Sequence, residues 1–202
     1  MELIGAFLTG VVGPILYFLI SRHLDKLREK KRDKIKEVVA DTCIVNDELQ
    51  EIMEEFKGDR VWISQFHNGG NFYPTGKSIQ KFSIFYEVTK AGVSTVAHTF
   101  NNIPCSLYPK AFDHMLNDEQ KGIFIPDYND PKVATYGLKE AAKSVGTKSS
   151  FLVPLFTLDE KYIGTIGIDY VTKKKKLTKD QWEHFQIKAG RIAGYLSKYL
   201  SK

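Results

Sequence analysis

The hydrophobic pattern opens with nineteen uncharged positions in succession, residues 3–21 (LIGAFLTGVVGPILYFLIS). A helix of that length rises about 28 Å, close to the ~30 Å hydrocarbon core of a bilayer. The run therefore predicts a transmembrane helix over residues 1–21. The rival is a cleaved secretory signal, which requires a basic start and a small-residue cleavage site. Only Met1 and Glu2 precede the run, and no such site follows it. Residues 22–36 then hold eight basic and three acidic side chains. The positive-inside rule keeps such a segment cytoplasmic. The expectation is a single-pass membrane protein, N-terminus outside and C-terminal domain in the cytoplasm, where Cys43 and Cys105 are reduced thiols.

Residues 22–56 contain neither Gly nor Pro, and their pattern predicts one long helix. From Ile35 the apolar positions are Ile35, Val38, Thr42, Val45, Leu49, Ile52 and Phe56, in alternating steps of three and four. That is a heptad seam. Upstream the same register meets Leu24, Arg28 and Lys31. Residues 22–59 are therefore expected to form a helical stalk, charged near the membrane and coiled-coil-like as it enters the next domain.

Residues 60–202 read as an α+β domain. Strands are expected over 61–67, 81–89, 94–100, 122–126, 149–156 and 162–170, and short helices over 108–116 and 136–144. In the second strand Phe82, Ile84, Tyr86 and Val88 alternate with Ser83, Phe85 and Glu87. Thr178 and Gln181 have capping-box spacing at the start of a last helix. Its apolar positions, Trp182, Phe185, Ala189, Ile192, Leu196 and Tyr199, form a second seam. Two such seams predict a homodimer or higher homo-oligomer.

Composition narrows the classes. With 43% apolar and 26% charged residues among 202, the chain is not a disordered tail. Two cysteines cannot make a disulfide framework. The +5 net charge is uneven, since residues 61–202 carry 19 basic and 12 acidic side chains. The lysine run at 173–176 lies among few aromatic residues and no nucleic-acid fold signature, so no nucleic-acid partner is expected; it reads as a solvated loop or a contact to anionic lipid. There is no G-x-S-x-G elbow, Walker loop or H-E-x-x-H motif. The five histidines lack metal-ligand spacing. No enzyme and no metal site are expected, and the cofactor is unknown.

The order of elements resembles the GAF family, small ligand-binding modules related to PAS domains. Residues 122–131 (GIFIPDYNDP) are similar to the family's strand-then-Asp segment. Residues 141–196 are similar to its closing block: a helix, Gly146, a Ser-rich strand start, Val153-Pro154-Leu155, a tight turn, Ile163-Gly164 and a terminal helix. Residues 60–120 agree by element order. The resemblance implies a central antiparallel sheet, helices on one face, a pocket under loops on the other, and bracketing N- and C-terminal helices that commonly pair in dimers. Here that fold is expected to be preceded by the transmembrane helix and stalk. Bilin-attaching relatives carry a Cys followed by His, whereas Ser106 follows Cys105. Relatives that reduce methionine sulfoxide use several cysteines, whereas Cys43 lies in the seam helix and Cys105 stands alone.

Candidate pocket residues are His67 and Asn68, where a strand meets the turn glycines Gly69 and Gly70, and Asp127, which opens a polar loop after Pro126. Phe82, Tyr86, Tyr136, Ser149, Ser150 and Asp169 are further candidates. Each has a plain structural reading beside the functional one. Asx side chains close turns on their own backbone, and Phe and Tyr are more often core than pocket. The expected function is a membrane-anchored sensory or regulatory module in which a small ligand shifts the bracketing helices. Its reader would be a separate protein, the membrane helix or the oligomer. The alternative is a structural or assembly protein of a phage or bacterial inner membrane, with a GAF-like domain that oligomerises without a ligand. An open, polar-lined cavity favours the first reading; a pocket filled by Phe82, Tyr86 and Phe151 favours the second.

Overall fold

The computed structural model describes residues 12–31, 34–72, 74–117 and 122–200. The chain divides into two compact units, residues 1–41 and 42–202. The first unit contains helix α1 (Gly13–Lys31), whose apolar positions are dense only to Ile20; from Arg22 it is charged. Among the described residues no helix is long and apolar enough to cross a membrane. This corrects the transmembrane helix expected over residues 1–21, of which 1–11 lie outside the described residues. The membrane partner, single-pass topology and sidedness that rested on it are corrected with it. A span requires one helix that stays apolar for its whole length, and α1 runs from apolar into charged sequence.

Helix α2 (Lys34–Phe56) carries the first seam. The stalk expected here is also corrected. Val45, Leu49, Ile52 and Phe56 are buried in the domain core, so this length of α2 is a wall of the domain and not a spacer before it.

Six strands form one antiparallel sheet in the order β3-β2-β1-β6-β5-β4. They are β1 (Arg60–Asn71), β2 (Ser78–Thr89), β3 (Ile103–Pro104), β4 (Ile123–Ile125), β5 (Ser149–Phe156) and β6 (Tyr162–Tyr170). Helices α3 (Pro109–Asn117) and α4 (Lys139–Ser144) lie in the connections flanking β4, and α5 (Lys179–Leu200) closes the chain. The capping box at α5 forms in both directions: Gln181 N donates to Thr178 Oγ1 at 3.2 Å and Thr178 N to Gln181 Oε1 at 3.1 Å.

Strand alternation sorts side chains to two faces. On one face Val61, Ile63, Phe151, Val153, Ile166 and Ile168 pack with the α2 and α5 seams in a single core. The rings of Phe56 and Phe185 lie 5.6 Å apart. Glu48 pairs with Arg191 at 2.8 Å, and Lys188 bridges Glu51 at 3.3 Å and Glu55 at 3.1 Å. Of the two seams expected to pair between copies, the first is buried within this chain from Val45 onward while Ile35 and Val38 stay exposed, and the second is buried at Phe185, Ala189, Ile192 and Leu196; the Tyr199 side chain lies outside the described residues. On the other face α3 and α4 pack over Ile123, Ile125 and Leu152.

Two local expectations change. The segment 94–100 is a loop and not a strand, because the Glu87 carboxylate takes the backbone N–H groups of Val96 and Ala97 at 2.7 and 2.9 Å. The register of β1 with β2 jumps from Ile63↔Tyr86 to Ser64↔Ile84, leaving Phe85 as the extra residue of a bulge. Tyr86 and Val88 therefore pack with the α2/α5 core, while Phe82 and Ile84 turn to the opposite face.

Candidate ligand-binding site

The face under α3 and α4 is built from rows of cross-strand neighbours. Arg60, Trp62 and Ser64 of β1 stand opposite Asp169, Gly167 and Thr165 of β6. Ser150 and Leu152 of β5 extend the first two rows. Gly167 is required by its neighbour, since a Cβ there would lie 2.4 Å from the Trp62 ring. The indole uses that space, and its Nε1–H donates to Asp169 Oδ2 at 3.1 Å. Arg60 donates to the same oxygen through Nε at 2.9 Å and pairs with it through Nη2 at 2.8 Å. Its remaining reach goes to Thr147 Oγ1 at 2.7 Å and the Ser94 carbonyl at 3.0 Å. Arg60 and Asp169 are both buried, at 1% and 6% exposure. Burial pushes the Asp169 carboxyl up, while the Arg60 charge and the Arg60 and Trp62 donors pull it back.

Above this floor lies a cavity of about 90 Å³, partly open to solvent. Its walls are mainly apolar: Phe82 and Ile84 from β2, Ala111, Phe112 and Met115 from α3, and Leu138, Ala141 and Ala142 at α4. Polar groups sit where Asp169, Thr147, Ser150 and Tyr128 meet. Tyr128 is hydrogen-bonded to Ser150, and burial holds its phenol protonated well above the usual range. At the far end Tyr162 bonds Thr165 Oγ1 at 2.7 Å.

Of the residues predicted from sequence, Phe82, Ser150 and Asp169 converge on this cavity. The others do not line it. His67 Nε2 lies 2.9 Å from Ser83 Oγ. That hydroxyl donates to Asn101 Oδ1 and accepts from Asn102 N. Asn68 closes its hairpin, accepting from Gly70 N and Ser78 Oγ, each at 3.0 Å. Tyr86 packs with the α2/α5 core. Asp127 caps its own turn through Asn129 N and pairs with Lys174 at 2.5 Å; that ammonium holds its carboxyl below the ordinary range. Tyr136 stacks on His114 with ring centroids 4.2 Å apart. Ser149 faces away from the cavity and ties Pro126 O to Lys175 N.

Arg60, Trp62, Thr147, Tyr128 and Thr165 were not singled out from sequence. The available signal was a charged residue at the head of the apolar run Val61-Trp62-Ile63, with an acid of opposite sign in β6. Among the described residues no group of three or more His, Cys, Asp or Glu is arranged to hold a metal ion.

No protein-family model matches the sequence, and no curated protein matches it. Solved structures do. The phycocyanobilin-bound GAF domain of a cyanobacterial phytochrome is 16% identical with a TM-score of 0.59, covering 90% of this chain and 93% of that one. A far-red cyanobacteriochrome photoreceptor is also 16% identical at 0.59, covering 87% and 98%. The blue-light-absorbing PixJ GAF domain of Thermosynechococcus elongatus is 12% identical at 0.58, covering 84% and 96%. At such identities the comparison establishes architecture: the antiparallel sheet and its bracketing helices have the fold of GAF domains.

Proposed function

We propose that this domain is a sensory or regulatory module that takes up a small ligand between the sheet and helices α3 and α4. The observation that carries the reading is the cavity floor, where Asp169, paired from behind by buried Arg60, and the Ser150–Tyr128 hydroxyls meet apolar walls. Concave, mostly apolar sites with a few convergent polar groups are the usual form of small-molecule pockets. The rival reading needed Phe82, Tyr86 and Phe151 to fill the space. Tyr86 and Phe151 belong to the core on the opposite face, and Phe82 only lines the cavity. The strands that carry the floor also carry the residues packed on α2 and α5, which gives an occupied cavity a mechanical route to both helices.

Ala142→Phe places a ring in the cavity from α4 and tests the reading. A panel of small molecules titrated into the full chain is expected to move the Trp62 indole N–H resonance in the wild type and to leave it unmoved in the variant. Equal responses in both proteins, or none in either, would overturn the proposal.

A further inference from the structure

We infer that the cavity selects an uncharged single-ring molecule with one hydrogen-bond-donating edge, of the phenol type; this rests on the ligand-binding reading above. Size sets the first limit. A volume of about 90 Å³ is far below the ~300–1,000 Å³ of ordinary small-molecule sites; it admits one ring at most, and because the cavity is partly open to solvent that ring need not be wholly enclosed. Shape sets the second. Trp62, Phe82, Phe112 and Met115 enclose the space with flat or pliant apolar groups, which suit an aromatic face.

Charge sets the third limit. The one acid of the floor, Asp169, is already matched by Arg60. A ligand cation or anion would lose its hydration without a free counter-charge to replace it. The polarity of the ligand edge follows from hydrogen-bond geometry. The Arg60 and Trp62 bonds to the Asp169 carboxylate all end on Oδ2. The cavity-lining carboxylate thus keeps Oδ1 as an acceptor for a donor entering from above, and a neutral O–H or N–H on a ring supplies it.

Phenol, toluene, benzoate and benzylammonium, titrated into the full chain and followed by the Trp62 indole and Met115 methyl resonances, test this. Phenol is expected to bind about tenfold tighter than toluene, the usual worth of one buried hydrogen bond, and tighter than either ion. In the double variant Arg60→Met/Asp169→Leu an apolar pair replaces the ionic one, a change that buried pairs often tolerate. There the preference for phenol should vanish while toluene still binds. Equal binding of phenol and toluene to the wild type overturns the donor assignment and leaves the ligand-binding reading standing. Preference for either ion overturns the charge assignment. If none of the four binds while larger panel members move Trp62, the size assignment fails alone. If nothing binds from either set, both readings fail together.

Discussion

Asp59 and Asp169 are both buried carboxylates, held in opposite ways. Asp59 Oδ2 accepts from Val171 N, Thr172 N and Thr172 Oγ1 at 2.7–2.8 Å. Burial alone would raise its carboxyl, but these donors, with Lys90 nearby, outweigh it and hold the group below its ordinary value. A depressed folded-state value means stability that is present above the unfolded carboxylate range, near pH 4, and lost as pH falls through the folded value. Urea midpoints taken from neutral to strongly acid pH should therefore fall, and Asp59→Asn should flatten that acid limb relative to wild type. Asp169 faces a buried cation instead. Asp169→Asn leaves the Arg60 charge unmatched, with an expected loss of about 3–5 kcal/mol in urea unfolding. A loss below about 1 kcal/mol, the range of surface pairs, would mean that the pair is far better solvated than its burial implies.

At the scale of elements, strand β6 shows how one small residue positions a site. Gly167→Ala would set a Cβ against the Trp62 ring, and overpacking of this kind costs about 1–3 kcal/mol. The expected signature is a lower unfolding temperature with a shifted Trp62 fluorescence maximum. An unchanged spectrum would show that the indole does not lie over β6. The β2 bulge is the other decisive element. Alternation of Phe82, Ile84, Tyr86 and Val88 was legible in the sequence and predicts a single face. The extra residue Phe85 divides them between the cavity and the helical core, because a one-residue slip reverses the side of everything beyond it.

Over the whole molecule, the α2 seam from Val45 to Phe56 and the α5 seam share one core with the sheet. Phe56 and Phe185 are the contact to probe, at 5.6 Å between ring centroids. A double-mutant cycle to Ala should give a coupling of about 0.5–3 kcal/mol, the range for residues in contact. Additive losses would place the two seams apart and reopen pairing with another copy.

Sequence alone determined what local periodicity and capping control. The ranges of β5 and β6 coincide with those expected, and the Thr178–Gln181 box starts α5. The seams were visible, as were Phe82, Ser150 and Asp169. Tertiary structure decided what each was for. A heptad records that a helix buries one side, not whether another element of the same chain or a second copy covers it. An uncharged run records apolarity, and among the described residues α1 turns charged from Arg22. Arg60 and Asp169 lie 109 residues apart in sequence, and the register of β1 on β6 alone makes them neighbours. Pairings at that separation are set by hydrogen bonding between strands, which no local window of sequence contains.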